Sequence, residues 1–339
     1  MKNPNDFASL LSGFLGEYLP AQKNASQRTV RSYRDTFKLF LIYMESERKV
    51  KPEKIRMKDL TSQLVLDFLS WLEKERNISV SSRNQRLSAI RSFFRYAQFE
   101  MPEGLARFQA VLALPSKKAA KPTVPHLSAE EMKALLSCPE QSTARGRRDL
   151  CLLCVLYDSG CRVQELIDLR VRDVILRPKG IAILSGKGGK IRRVPLERGT
   201  TNLLEAYLRE RRLTGPDTMD WPVFAGSRGN KLTREGVTYI ISKYVAPARE
   251  KAPSIPEKVT PHMFRHSRAM TLLQAGVNLI YIRDFLGHTD VKTTEIYAKT
   301  DTELKRKAID GVTPAVVMEP VQPGDWSDDH SLMEWLKGL

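Results

Sequence analysis

The stretch Ile181-Ala-Ile-Leu-Ser-Gly-Lys-Gly-Gly-Lys-Ile-Arg-Arg-Val-Pro-Leu196 reads as a β-hairpin. Its β-branched runs, residues 181–184 and 191–196, flank the turn Gly186-Lys-Gly-Gly-Lys190. Such runs on either side of a glycine turn pair as antiparallel strands. A phosphate-cradling P-loop is the rival use of these glycines. It fails, because Gly180 lies one residue too far back and Gly188 stands where Ser or Thr is required. The hairpin tip then carries Lys187 outward, where an ammonium can donate a proton to a leaving oxygen.

Helical patterns lie on both sides of this hairpin. Upstream, Val30, Tyr33, Phe37, Leu41 and Met44 recur at helical spacing, with Arg31, Arg34 and Lys38 on another face. A second helix places Leu87, Ile90, Phe94 and Ala97 on one face, with Ser81 or Ser82 as its cap and Arg83 and Arg86 in its first half. Two basic faces in one small bundle predict contact with phosphates. Downstream, Ser128-Ala-Glu-Glu131 is a capping box that opens a helix. An apolar run near 148–158 predicts a buried helix, and helices dominate again from about 200 to 310. The expected fold is mainly α with a small antiparallel β-sheet: an all-α N-terminal domain followed by a mixed α+β domain.

Residues 113–126 hold three prolines and the lysines Lys117, Lys118 and Lys121, with few large apolar groups. This composition predicts an extended linker suited to crossing a phosphate backbone. The expected organisation is a helical domain over 1–112, a linker over 113–126, a second domain over 127–310 and a tail over 311–339. In the tail, Leu332, Met333, Leu336 and Leu339 form an apolar stripe near Asp328 and Asp329, which predicts a helix that docks on a neighbouring subunit.

Net charge is +16 over 339 residues, a field that attracts polyanions, nucleic acid first among them. Residues 1–126 carry 22 lysines and arginines against 12 carboxylates, residues 127–310 carry 32 against 22, and residues 311–339 carry one against five. The charge therefore belongs to both expected domains. Four cysteines do not make a disulfide framework in a chain of this length. Cys151 and Cys154 lie in the apolar run and read as reduced core thiols. There is no uninterrupted apolar segment of signal-peptide type and no apolar stretch near 18 residues, so a cytoplasmic protein without a membrane span is expected.

Thr260 and Pro261 suit the N-cap and first position of a helix. His262 and Arg265 then share one face of its first turn and can address one phosphate. His262 and His266 also stand four apart, but no glutamate lies between them, so the zinc-protease pattern is absent and no metal is expected. Arg162 follows the turn Ser159-Gly160, and Glu165 can orient it across an i+3 spacing. A guanidinium there can engage two phosphate oxygens at once. Tyr297 follows Leu286-Gly287-His288 by nine residues. A phenol is protonated at neutral pH and needs neighbouring cationic or basic groups to act as a nucleophile.

Taken in order, Ser-Gly-Cys-Arg162, Gly-Lys187, His262-x-x-Arg265, Leu-Gly-His288 and Tyr297 resemble the signature of the tyrosine recombinases, the phage-integrase family. All six positions match in order and spacing, and the helical N-terminal part is similar to that family's core-binding domain. Cys161 departs from the apolar residue usual there. The resemblance implies a site-specific DNA recombinase of integrase or transposase type, without cofactor. Tyr297 would form a 3′-phosphotyrosine, Arg162 and Arg265 would clamp the phosphate, Lys187 would be the general acid, His262 would assist proton transfer and His288 would hydrogen-bond the phosphate. Double-stranded DNA is the implied partner. A homo-tetramer on two sites would work through a Holliday junction, for a mobile element. Arg31, Arg34, Lys38, Arg83, Arg86, Lys117, Lys118, Lys121 and Lys190 are the expected DNA contacts. The alternatives are a catalytically silent DNA-binding accessory protein and a chromosome-dimer resolvase. A type IB topoisomerase is a more distant third.

Overall fold

Contacts divide the chain into two units, Met1–Pro122 and Thr123–Leu339. The computed structural model describes residues 6–119, 124–186, 189–226, 229–288, 294–295 and 332–337.

The first unit is helical: α1 (Asp6–Gly13), a π-helical segment (Phe14–Gln22), α2 (Gln27–Ser46), α3 (Ser62–Glu75), α4 (Val80–Glu100) and α5 (Leu105–Leu112). Side-chain hydroxyls open the long helices by accepting N–H groups that have no partner within the helix. Ser26 accepts from the Thr29 N–H, Thr61 from Leu64 and Ser79 from Ser82, each at 3.2 Å. The cap of α4 is thus Ser79, not Ser81 or Ser82. Ser79 alone of the three precedes the helix with extended backbone, and the other two lie inside its first turn.

The helical spacing of α2 works as its sequence predicts. Phe37 and Met44 are buried, while Val30, Tyr33 and Leu41 pack at the edge of the core. Phe93 of α4 sits at the centre of that core. Its ring lies 5.1 Å from Phe37, 5.5 Å from Phe14 and 5.9 Å from Phe7, all in edge-on or strongly inclined geometry. Rings in such arrangements attract through edge-to-face electrostatics as well as by area buried.

The expectation of an open basic face on α4 needs correction. Arg83 is 4% exposed, and its Nε lies 3.6 Å from the Glu73 carboxylate of α3. It stands four residues before Leu87 on the core face, so the stripe that buries Leu87, Ile90, Phe94 and Ala97 takes Arg83 inward as well. Arg86 is half-buried and donates from Nη1 to the Ser32 carbonyl and the Thr36 hydroxyl, fastening α4 to α2. After α5, Leu114 is buried in the same core. Lys117 exchanges two hydrogen bonds with the Asn84 side chain, and its ammonium reaches Glu73 at 2.7 Å.

The second unit begins its described part at Val124, and Leu127 is already buried in it. It holds α6 (Ala129–Leu136), α7 (Ala144–Asp158), α8 (Val163–Asp168), α9 (Arg198–Glu210), α10 (Arg234–Lys251), α11 (Pro261–Gln274) and α12 (Leu279–Leu286). A separate helix, α13, spans Leu332–Lys337. The Ser128 capping box forms in full: the hydroxyl accepts from the Glu131 N–H at 3.2 Å, and the Glu131 carboxylate accepts from the Ser128 N–H at 2.7 Å. Helix α7 carries Cys151 into the core, and Cys154, on the same helix, is half-buried. Burial pushes both thiols up, Cys154 to about 12, and all four cysteines are free.

Strands β1 (Val174–Ile175), β2 (Ile181–Ser185) and β3 (Ile191–Pro195) form an antiparallel sheet in the order β1-β2-β3. The predicted hairpin is β2–β3, with Ile183 opposite Arg193 and Ser185 opposite Ile191. Its turn closes where the Gly186 N–H donates to the Lys190 carbonyl at 2.7 Å. Ala182, Leu184 and Val194 are buried on one face. The fold is therefore mainly helical with one small antiparallel sheet. Among the described residues, no helix is long and apolar enough to cross a membrane.

Candidate active site

Three elements of the second unit meet at the C-terminal end of α12. The first is the turn between α7 and α8. Gly160 has φ +54°, and a β-carbon there would stand 2.9 Å from Leu286 Cδ2, so both the turn and the close approach of α12 require glycine. Arg162 follows as the N-cap residue of α8. The Glu165 carboxylate accepts from its backbone N–H at 2.8 Å and from its Nη1 at 2.9 Å. The i+3 partnership expected for this pair is present.

The second element is α11. The Thr260 hydroxyl accepts from the Met263 N–H, and Pro261 occupies the first position, as the sequence predicts. Arg265, one turn in, is 2% exposed. A fully charged side chain buried to this degree needs partners. Its Nη1 donates to the Gly160 carbonyl at 2.7 Å and its Nη2 to the Leu286 carbonyl at 2.6 Å.

The third element is α12 itself, which ends in a left-handed residue, Gly287 at φ +67°. The His288 N–H donates back to the Arg283 carbonyl at 3.0 Å, closing the last turn. That turn exposes consecutive carbonyls, and three arginines take them in sequence. Arg192 of β3 donates from Nε to Phe285 O at 2.9 Å, Arg265 donates to Leu286 O, and Arg162 donates from Nη2 to Gly287 O at 3.2 Å. Cations at the negative end of a helix are favourable, and the unpaired carbonyls there need donors.

No sequence motif marks Arg192. Its two Nη groups also grip Glu165, at 3.0 and 2.8 Å. Its signal is its place two residues before the buried Val194, on the same face of β3. No motif marks Arg268 either: its Nη2 reaches Asp158 at 2.8 Å, and its guanidinium lies over the rings of Tyr157 and Phe285.

The electrostatics follow from this crowding. Burial alone would raise the Glu165 carboxyl, but the hydrogen bonds from Arg192 and Arg162 outweigh it and hold the group below the usual carboxylate range. Burial, then the Arg265 and Arg162 charges, lowers His262 and takes His288 down to about 4. His266 also falls to about 4, through burial and then His262, whose ring centroid is 5.2 Å away. His262 and His288 are therefore neutral at pH 7. Each can donate or accept a hydrogen bond beside two permanent cations. His288 Nδ1 pairs with the Thr294 hydroxyl at 2.9 Å.

Arg162, His262, Arg265 and His288 are thus brought to one end of α12. Lys187 and Tyr297 lie outside the described residues. The start of the hairpin turn is close, since a β-carbon on Gly186 would lie 3.3 Å from Glu165 Oε1 and 3.9 Å from Arg162 Nη1. Of the expected DNA contacts, Arg31, Arg34, Lys38, Lys118 and Lys190 are exposed, and Lys117 is half-exposed in its pair with Glu73. Lys121 lies outside the described residues.

Known proteins share this arrangement of sequence and fold. Residues 125–303 match the model of the phage integrase family, and residues 13–100 match that of the phage integrase N-terminal SAM-like domain. The chain is 39% identical over 309 residues to the putative integrase/recombinase y4rC of Sinorhizobium fredii, covering 91% of this chain and 92% of the relative. It is 33% identical over 303 residues to the tyrosine recombinase XerD of Listeria innocua, covering 88% and 96%. Among solved structures, the XerH site-specific recombinase in its post-cleavage complex with difH substrate aligns at TM-score 0.68 and 24% identity, covering 88% of this chain and 83% of that one. The Tn1549 transposon integrase with transposon right end DNA aligns at 0.69 and 15%, covering 89% and 99%. These two likenesses show the fold. The family model spans more than half the chain and the relatives match most of it, so the chain belongs to the phage integrase family of tyrosine recombinases, enzymes of site-specific DNA strand exchange.

Proposed function

We propose that the chain cleaves and rejoins duplex DNA at specific sites with Tyr297 as nucleophile. The phenol oxygen attacks the scissile phosphorus, a 3′-phosphotyrosine forms, and a 5′-hydroxyl leaves. Arg162 and Arg265 receive the charge that builds on the non-bridging oxygens. Donors fixed before the reaction can be worth about 3–4 kcal/mol each in such a transition state. Lys187 protonates the leaving 5′-oxygen, His262 assists proton transfer and His288 hydrogen-bonds the phosphate. The phosphotyrosine keeps the energy of the broken phosphodiester, so a 5′-hydroxyl from a second duplex reverses the attack without a cofactor. The observation that carries this reading is the fixing of Arg162 and Arg265 on the adjacent carbonyls of Gly287 and Leu286, beside two neutral histidines.

Two rounds of exchange, through a Holliday junction, call for four subunits on two DNA sites. The 1–112 domain, the 113–126 linker and the 127–310 domain each contribute cations to the duplex: Arg31, Arg34 and Lys38 from the first, Lys118 and Lys121 from the second, Lys190 from the third. The tail, 311–339, contributes α13 to a neighbouring subunit. A mobile element is the favoured setting, on the likeness to the putative integrase/recombinase of S. fredii and the acidic extension after residue 311. The likeness to XerD favours a chromosome-dimer resolvase as the second reading.

The test starts from duplexes selected by their binding to the protein. Nicked versions of these should trap a covalent protein–DNA adduct, and Tyr297→Phe should trap none. An adduct formed equally by Tyr297→Phe excludes this mechanism, and no adduct from either leaves a DNA-binding accessory protein. Deletion of 320–339 should weaken assembly on DNA and leave single-site binding intact.

A further inference from the structure

Arg192 ties together three parts of the site. It stands on β3, its two Nη groups span both oxygens of Glu165 at 3.0 and 2.8 Å, and its Nε donates to Phe285 O at 2.9 Å. Its side chain is 12% exposed and that of Glu165 is 3% exposed, so water does not replace these bonds. Glu165 Oε1 accepts from both Arg192 Nη1 and Arg162 Nη1. The position of the Arg162 guanidinium is therefore set by a carboxylate that Arg192 holds. On its other side, Arg192 passes beneath Gly287, where a β-carbon would come within 3.0 Å of Nη1 and 3.1 Å of Cδ. The same side chain thus fixes the carbonyl end of α12 on which Arg162 and Arg265 rest.

We infer that Arg192 is a positioning residue for the strand-transfer reaction: it aims Arg162 at the scissile phosphate through Glu165 and the last turn of α12, without touching DNA itself. Three features of the geometry argue for aiming over simple packing. The fork is bidentate, which fixes orientation as well as distance. Its partner is the same carboxylate that binds Arg162. Its third bond lands on the carbonyl adjacent to the two that hold the phosphate-facing arginines. Lysine has a single ammonium and cannot reproduce this reach.

The inference rests on the proposed role of Arg162 as a phosphate clamp, and the experiment separates the two. Single-turnover adduct formation is measured on selected nicked duplexes carrying either the natural scissile phosphodiester or a methylphosphonate there. The latter lacks one charged non-bridging oxygen and so makes less demand on an arginine clamp. DNA affinity and thermal unfolding are recorded alongside. Arg192→Gln is expected to bind DNA as the parent does. It should cleave the phosphodiester about a hundredfold more slowly, the scale of a misplacement near 1 Å. Most of that deficit should vanish on the methylphosphonate. Arg192→Lys should behave in the same way, and it serves where Arg192→Gln does not fold. Parental rates on the phosphodiester, or an equal loss on both substrates, overturn the inference. Arg162→Ala is the reference. If it shows no preference for the neutral substrate, the clamp reading fails and the inference falls with it. If Arg162→Ala shows the preference and the Arg192 variants do not, only the role of Arg192 is lost.

Discussion

The buried guanidinium of Arg265 donates to the carbonyl of Gly160, a residue in the left-handed region, across 2.7 Å. The bond joins α11 to the turn that launches Arg162. In the proposed mechanism Arg265 would thereby serve both the frame and the reaction, and its neighbour Arg162, whose side chain is 36% exposed, would serve mainly the reaction. Arg265→Ala should therefore lower the thermal midpoint together with cleavage. Each of two buried carbonyls loses a donor, at about 1–3 kcal/mol per unsatisfied group. Arg162→Ala should cut cleavage by about 10²–10³ with a much smaller change in midpoint. Thermal unfolding run beside single-turnover cleavage checks the contrast, and equal destabilisation of the two variants would refute it.

Gly287→Ala should be harmful twice over. A side chain in the left-handed region costs roughly 1–2 kcal/mol. The new β-carbon also meets the Arg192 guanidinium at 3.0 Å. Urea unfolding should show the loss of stability, and cleavage should fall as well. A variant with parental cleavage would show that Arg192 can shift without consequence.

Acid should weaken the second unit before it affects carboxylates in general. Burial first, then His262 for His266 and Arg265 for His288, takes the two from 6.5 to about 4. Between these values the unfolded chain binds protons that the folded chain refuses. Stability is then fully present above pH 6.5 and is lost as pH falls toward 4. Urea midpoints measured from pH 7.5 to 4.5 should decline over that window, and His288→Asn should flatten the decline. A midpoint independent of pH there would contradict the assignment.

The cations of the first unit should separate into two kinds. Arg31, Arg34 and Lys38 are exposed along α2, whereas Arg83 is buried against Glu73. Changing any of the first three to Ala should lower the slope of log affinity against log salt by about 0.9 for each phosphate no longer neutralised. Arg83→Ala should leave the slope alone and reduce stability, because the Glu73 carboxylate is deprived of a buried cation. Binding titrations at several salt concentrations, with thermal unfolding, distinguish the outcomes.

Much of this was legible in the sequence because the signals are local. The β-branched runs around Gly186 give β2 and β3, Thr260-Pro261 gives the start of α11, and Ser128 with Glu131 gives that of α6. The Arg162–Glu165 pair follows from spacing within one turn. Local signals mislead where they compete or end. Three serines lie within four residues at the start of α4, and only backbone geometry selects Ser79. Arg83 reads as surface by its charge, whereas the apolar stripe continues one turn upstream of Leu87 and takes it inward. For Arg192 the alternation of β3 gives the inward face but not the partners: Glu165 and Phe285 are 27 and 93 residues distant, and no periodicity joins them. The expectations for Lys187, Lys121 and Tyr297 fall outside the described residues.

For anyone redesigning this recombinase, the last turn of α12 is the part to leave untouched. Each of its three final carbonyls is already claimed by a different arginine, so a change of backbone there disturbs every grip at once. Solvent-facing positions of other helices, such as Glu235, Tyr239 and Ser242 of α10, can be varied with no such shared anchorage to break.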